Sequence, residues 1–96
     1  MRAPNVSGKA PGEVVKMING ILYSKDDKVR LKLGKKRADA YDLLLNDRIA
    51  TIEVIYTDYE DNVHLAVTID DDPAQDMQRE LGMYLFFRPD EVEHAV

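Results

Sequence analysis

The feature that most constrains the fold of this chain is an alternation of apolar and polar side chains with a period of two. In residues 28–33, Val29, Leu31 and Leu33 alternate with cationic side chains. Successive side chains of a β-strand point to opposite faces, whereas those of a helix return to one face every three or four residues. The pattern therefore predicts a half-buried strand, which ends at Gly34.

The same alternation returns in residues 48–57 and 63–70, on either side of a polar stretch at 58–62. Both segments are rich in the β-branched residues that favour strands, so they predict a long antiparallel hairpin. Before them, residues 39–45 predict a helical turn and residues 46–47 a turn. In the first hairpin strand we expect one face to carry Ala50, Ile52, Val54 and Tyr56, and the other to carry Thr51, Glu53 and Ile55.

A short helix is predicted between Asp72 and Gly82. The Asp72 carboxylate can accept hydrogen bonds from first-turn amides, and Pro73 suits the first helical position. Gly82 supplies the left-handed conformation that ends many helices. Because a helix this short is not stable alone, we expect Met77 and Leu81 to hold it against the core.

Residues 13–24 fit two interpretations. In the first, an amphipathic helix places Val14, Ile18 and Ile21 on one face, although Gly20 weakens such a helix by about 1 kcal/mol relative to Ala. A strand is the competing interpretation, and the sequence leaves both open.

The ends of the chain carry weaker patterns. Residues 1–12 are rich in Gly, Pro, Ser and Asn, which predicts a disordered tail before one domain at 13–96. Residues 83–88 predict a further strand, and residues 89–92 predict a turn that leads to a short strand or a single helical turn.

Taken together, these elements predict a mainly β fold. A flat sheet could not hide the apolar residues on both faces of the last strands, whereas a curled sheet can. We therefore expect an SH3-like, partly open barrel of about five antiparallel strands with one short helix.

Composition excludes several classes of protein. The 96 residues suffice for one domain, and the absence of cysteine excludes disulfides, thiolate metal sites and a thiol nucleophile. No apolar run is long enough to cross a bilayer, and no apolar stretch follows Arg2, so we expect neither a membrane association nor a secretory signal. These observations indicate a cytoplasmic protein.

Charge is distributed unevenly along the chain. Residues 25–37 contain seven basic and two acidic side chains, whereas residues 58–93 contain eleven acidic and two basic ones. A basic face would suit phosphate contacts, so nucleic-acid binding is one alternative function. Aromatic residues between the cations, which would stack on bases, are missing, and the acidic remainder repels a polyanion. The candidate nucleic-acid residues are Lys28, Arg30, Lys32, Lys35, Lys36 and Arg37.

Catalysis finds little support in the sequence. No phosphate-binding glycine loop and no nucleophile–base pattern is visible, so we expect a protein without enzymatic activity and without a cofactor. A metal-binding accessory role is a further alternative, in which His64 joins Asp70 and Asp71. Adjacent carboxylates on an extended strand diverge, and the capping role already accounts for Asp72, so no metal site is assigned.

Four segments carry a resemblance: residues 37–42 (RADAYD), 48–51 (RIAT), 64–73 (HLAVTIDDDP) and 86–93 (FFRPDEVE). Together they resemble a family of small bacterial proteins often encoded near the structural and maturation genes of nickel–iron hydrogenases. The resemblance implies an accessory or maturation context and brings no activity, cofactor or catalytic residue. The matching residues that it makes candidates for a shared partner-binding surface are Arg37, Asp39, Asp42, Arg48, His64, Asp70, Asp71 and Asp72.

The leading functional hypothesis is a non-enzymatic accessory module that binds another protein, such as a hydrogenase subunit or maturation factor. Apolar positions occur on both faces of the strands near Ile55 and Phe87. If these two side chains are exposed, they form a patch suited to a partner or to a second copy of the chain.

Overall fold

The computed structural model describes residues 12–33 and 44–95. Its strands are β1 Val15–Ile18, β2 Ile21–Ser24, β3 Lys28–Leu31, β4 Ile49–Thr57, β5 Val63–Ile69, β6 Leu85–Phe87 and β7 Val92–His94. Helix α1 spans Gln75–Leu81, and a 3-10 helix spans Pro89–Glu91. The part of the chain that the structure describes contains no helix with the length and apolarity that a transmembrane segment needs.

The strands form two antiparallel sheets. One is the two-stranded hairpin β1–β2, and the other has five strands in the order β6-β5-β4-β3-β7. Within the described residues β6 and β7 are the two edges, so hydrogen bonding does not close the sheet into a barrel. The prediction of a mainly β, antiparallel fold with a short helix is confirmed at that level.

Residues 13–24 form strands, so the helical interpretation of this segment is wrong. Strands β1 and β2 pair directly, with Ile18 opposite Ile21. Asn19 and Gly20 connect them with φ angles of 50° and 82°. Positive φ at both central residues is the requirement of the two-residue turn that matches strand twist, and Asn-Gly satisfies it best.

The long hairpin β4–β5 is confirmed, but its facial pattern is interrupted. Ile52 pairs with Val67 and Val54 pairs with Ala66, so Glu53 is an extra residue in a β-bulge. A bulge shifts the alternation by one position. Ile55 therefore points into the core, and the prediction that it lies opposite Ile52 is wrong.

An apolar cluster joins the two sheets of the described residues. It contains Tyr23, Val29, Leu31, Leu33, Leu45, Ala50, Ile52, Ile55, Leu65, Val67, Ile69, Phe87 and Val92. Ile55 and Phe87 are 0% and 1% exposed. The condition under which these two side chains would form an exposed patch is therefore not met, because the bulge and the pairing of β6 with β5 bury them.

Helix α1 begins at Gln75, after the predicted first helical position Pro73, and the side chains predicted to face the core face solvent. Ala74 is its N-cap, while the Asp72 side chain accepts a hydrogen bond from the Ala74 amide (2.8 Å). Met77 and Leu81 are 56% and 63% exposed, so the prediction that they hold α1 on the core is wrong. Gly82 ends the helix at φ 68°, as predicted.

The segment before β1 lies against the bulged strand. Glu13 and Ile55 exchange two backbone hydrogen bonds (2.8 and 3.0 Å). A Cβ added at Gly12 would collide with the Val54 side chain, so only glycine lets the chain approach this closely. Residues 1–11 of the predicted tail lie outside the described residues.

The segments before β4 and after β6 agree with the sequence prediction where they are described. Of the predicted helical turn at 39–45, only Leu44 and Leu45 are described, and both are helical. The turn at 46–47 is present, with Asp47 at φ 68°. After β6, the chain forms both the single helical turn, as a 3-10 helix, and the short final strand that were predicted as alternatives.

Candidate protein-interaction surface

The two faces of the β1–β2 hairpin have different environments. Residues directly opposite each other in an antiparallel pair share a face. The inner face carries Tyr23, which is buried in the core, and Ile18, which packs against it. Burial raises the pKa of the Tyr23 hydroxyl. This face anchors the hairpin to the five-stranded sheet.

The outer face of the hairpin is apolar and exposed. It carries Val15, Met17 and Leu22, of which 49%, 60% and 51% of the surface is accessible. Met17 and Leu22 are direct cross-strand partners, so their side chains are neighbours. Soluble proteins expose single apolar side chains routinely, but a contiguous set on one sheet face is typical of an interaction site. We call Val15, Met17 and Leu22 the outer apolar face.

Helix α1 exposes a second, smaller apolar pair. Met77 and Leu81 stand four residues apart on the same side of the helix, and both are more than half exposed. Met83, just beyond the helix, is 60% exposed. This pair matches the outer apolar face in residue type and exposure, which makes it a useful control.

Four of the predicted partner-binding residues, Arg48 and Asp70 to Asp72, lie together where β5 ends and α1 begins. Arg48 Nη1 lies 3.1 Å from Asp71 Oδ2 in an exposed ion pair, and Asp70 is adjacent. The pair borders an open cleft of 350 Å³. The residues that line this cleft are Leu44, Leu45, Arg48, Ile69, Asp71, Asp72, Pro73, Gln78 and Leu85.

Asp70 is committed to structural hydrogen bonds. Its carboxylate accepts from Thr51 Oγ1 (2.6 Å) and Gln75 Nε2 (2.9 Å) and lies 2.8 Å from Lys28 Nζ. Burial acts to raise the pKa of Asp70, but the hydrogen bonds from Lys28, Thr51 and Gln75 outweigh it and lower the pKa. Asp70 therefore ties β3, β4 and α1 together as an ionised group.

His64 lies at the opposite end of β5 from Asp70. The six residue steps from position 64 to position 70 correspond to about 20 Å of extended strand. His64 Nε2 is 3.1 Å from Asp58 Oδ2, and both side chains are largely covered. This hydrogen bond, with backbone amides of the loop, lowers the pKa of Asp58 to about 2. The structure thus does not bring His64 to Asp70 and Asp71.

The cations at positions 28, 30 and 32 have partners elsewhere in the chain, and Lys32 lies just beyond β3. Arg30 Nη1 donates to the Asp47 carbonyl (3.3 Å). Lys32 Nζ lies 3.0 Å from Asp47 Oδ1 and 3.7 Å from Glu93 Oε1. The hydrogen bond to Asp47 raises the pKa of Lys32. Lys28, Arg30 and Lys32 thus form intramolecular pairs, which compete with phosphate contacts.

A buried acid that the sequence pattern did not single out lies in the bulge of β4. Glu53 is 1% exposed, and its Oε2 accepts from Thr68 Oγ1 (2.7 Å) and Arg79 Nε (2.9 Å). The hydrogen bond to Glu53 raises the pKa of Arg79. A buried carboxylate needs a partner of this kind, since an unpaired one is costly. The sequence signal that could have indicated this buried acid is that Glu53 is the one charged residue of β4.

Several predicted site residues cannot be placed. Lys35, Lys36, Arg37, Asp39 and Asp42 lie outside the described residues. Within the described ranges no group of three or more His, Asp or Glu side chains has the arrangement of a metal site.

Comparison with known proteins yields no relative. No protein-family model, no curated protein and no solved structure matches this chain.

Proposed function

We propose that this chain is a non-enzymatic accessory module that binds another protein through the outer apolar face of its β1–β2 hairpin. The observation that carries the proposal is the exposure of Val15, Met17 and Leu22 on one side of a sheet whose other side is anchored in the core. An apolar partner surface would cover these side chains and gain free energy in proportion to the area removed from water.

The sequence resemblance supports the kind of partner and the compartment that we propose. It suggests a partner among hydrogenase subunits or maturation factors, in the cytoplasm. A second copy of the chain is the other occupant that the same face admits, and the experiment below separates the two.

We also propose that the five-stranded sheet is an SH3-like, partly open barrel. What supports this is the strand order, in which the last strand β7 pairs with β3 rather than with β6. A 3-10 helix separates the last two strands, and the bulge at Glu53 bends β4 where the sheet must curl. SH3-like barrels host many unrelated functions, so this architecture is compatible with the proposed role, which rests on the outer apolar face.

The test compares two double variants with matched exposure. Met17→Lys with Leu22→Lys places charge on the outer apolar face, and Met77→Lys with Leu81→Lys places the same charge on α1. Tagged chains are cross-linked and recovered from a bacterium that produces a nickel–iron hydrogenase, and sedimentation measures self-association of the purified chains. We expect one hydrogenase-related protein to be recovered with the wild-type chain and the α1 variant, and to fall at least tenfold with the hairpin variant.

Two results would contradict the proposal. Equal recovery of that protein with both variants would remove the hairpin from the interface. A wild-type chain that recovers no hydrogenase-related protein, but dimerises through the same face, would replace the foreign partner by a second copy. Since all four substituted residues are more than half exposed, both variants are expected to remain folded.

A further inference from the structure

Helix α1 is held on the sheet in an unusual way. None of its residues is buried, and its two large apolar side chains, Met77 and Leu81, point to solvent. Helices in globular proteins usually dock through an apolar stripe that faces the core. Some other interaction must therefore hold α1 in place.

That interaction is a small set of polar side-chain contacts. Gln75 Nε2 donates to Thr68 Oγ1 (3.1 Å) and to Asp70 Oδ1 (2.9 Å) at the start of the helix. Arg79 Nε donates to Glu53 Oε2 (2.9 Å) one turn later. Each such contact exchanges a hydrogen bond with water for one within the protein, so its net contribution to stability is modest, although the two contacts to the carboxylates of Asp70 and Glu53 are stronger than the neutral one to Thr68. Opening of α1 would expose Glu53 to water, so the carboxylate would not be left buried without a partner.

The surface under α1 is polar as well. Glu53 and Thr68 are each 1% exposed although they lie on the solvent side of β4 and β5, opposite the core residues Ile52 and Val67. Thr51, 3% exposed, continues this surface. We call Thr51, Glu53 and Thr68 the polar floor.

The chain on both sides of α1 has the geometry of a hinge. A turn at residues 70–74 precedes the helix, and Gly82 follows it at φ 68°. Glycine adopts other backbone angles freely, so the helix can swing or unwind without strain at this end. A helix of seven residues does not persist without packing, so a detached α1 would lose its helical structure.

We propose that α1 is a strap that opens while the sheet stays folded, and that it controls access to the polar floor. This inference goes beyond the proposed partner binding, because it concerns a conformational change and does not depend on the hairpin. Any molecule that reaches Glu53 or Thr68 must first displace Gln75 and Arg79, so α1 blocks this face while it is closed.

A single introduced thiol tests the proposal, since the chain has no cysteine of its own. Thr68→Cys places the thiol under α1, and Val67→Cys places it on the adjacent residue, in the core. Labelling with iodoacetamide under native conditions then measures how often each face opens. We expect Cys at position 68 to react at least tenfold faster than Cys at position 67, which should react only on global unfolding.

A further substitution links the reaction to the strap. Thr68→Cys already removes the hydroxyl that Gln75 contacts, so in that chain Gln75→Ala removes the remaining contact to Asp70. It should accelerate labelling at position 68 and leave the rate at position 67 within twofold. The matched control Glu80→Ala changes an exposed residue of the same helix and should alter neither rate.

Equal labelling rates at the two positions would overturn the strap, as would acceleration of both by Gln75→Ala. Hydrogen exchange of the unsubstituted chain gives a second measurement if a cysteine variant does not fold. The Gln78 amide, bonded to the Ala74 carbonyl (2.9 Å), should exchange faster than the Leu65 amide and without dependence on low urea. The same exchange rate and urea dependence at both amides would also overturn the proposal.

Discussion

The two hairpins of this protein share a sequence pattern but differ in what covers them. In β5, every residue from Leu65 to Ile69 is buried, because the core lies on one face and α1 with Glu53 on the other. In β1–β2, Tyr23 alone is buried, and the outer apolar face is open. Alternation defines two faces, but the rest of the fold decides how many of them are covered.

The turns that connect the strands of the two hairpins also differ, in what holds their conformation. Asn19 and Gly20 close β1–β2 through backbone conformation alone. The loop between β4 and β5 is longer and adds a side chain to its backbone contacts. The Asp58 amide donates to the Asn62 carbonyl (2.9 Å), and Asp58 Oδ1 accepts from the amides of Glu60 and Asn62 (both 2.9 Å). The first turn is specified by local backbone preference, and the second adds a charged acceptor.

The largest contrast between the hairpins should appear when one apolar side chain is truncated in each. Ile55→Ala removes a fully buried side chain from β4 and should lower the free energy of unfolding by about 2–5 kcal/mol. Met17→Ala removes an exposed one from β1 and should change it by no more than about 0.5 kcal/mol. Urea unfolding followed by circular dichroism measures both.

Ile55→Val provides a milder step, with an expected loss of about 1 kcal/mol, in case the alanine variant does not fold. A loss at Met17 as large as that at Ile55 would break the comparison, since it would mean that the outer apolar face is covered in the isolated chain.

A smaller effect is expected at the turn of the first hairpin. Gly20 has φ 82° and its Cβ position is open, so Gly20→Ala should cost about 1 kcal/mol through backbone strain alone. Gly20→Asn, which tolerates this conformation better, should cost clearly less. Thermal unfolding of both variants measures the difference, and equal losses would mean that packing of the turn, not its backbone angle, matters.

Gly20→Ala also shows whether the β1–β2 hairpin unfolds together with the five-stranded sheet or before it. If β1–β2 unfolds together with the sheet, the loss appears in the main cooperative transition. If the hairpin detaches first, Gly20→Ala would leave that transition unchanged and increase only the hydrogen exchange of β1 and β2.

Particular residues show how far the sequence predicted this structure. The strand β3, the hairpin β4–β5, and the glycine stop of α1 followed from alternation and from local backbone preference. For residues 13–24 the sequence left helix and strand open, and the strand interpretation is confirmed; the Asn19–Gly20 pair between apolar residues, a strong hairpin signal, would have decided between them. That turn was therefore predictable from the sequence.

Other features were not predictable, because they depend on contacts between distant parts of the chain. The bulge at Glu53 reverses the facial pattern of β4, and no local signal in the strand specifies it. The exposure of Met77 and the burial of Glu53 follow from how Arg79 docks α1. Which face of the β1–β2 hairpin is exposed depends on the packing of Tyr23 and Ile18 on the core, which the local sequence does not specify.

The smallest expected effect concerns the charged loop of the second hairpin and its dependence on pH. Hydrogen bonds from His64 and from loop amides lower the pKa of Asp58 from 3.8 to about 2, so the folded state favours the ionised carboxylate. Its contribution to stability is present above about pH 4 and is lost as the pH falls towards 2. Asp58→Asn should therefore be less stable than wild type at pH 5, with a gap that shrinks between pH 4 and pH 2. Urea midpoints across this interval measure the gap.

Asp61→Asn is the control, because Asn tolerates the positive φ of 63° at this exposed position of the same loop. A gap between Asp58→Asn and wild type that stays constant from pH 5 to pH 2 would show that the loop does not depend on the ionised carboxylate, and the difference between the two hairpin connections would then lie in their backbone conformations alone.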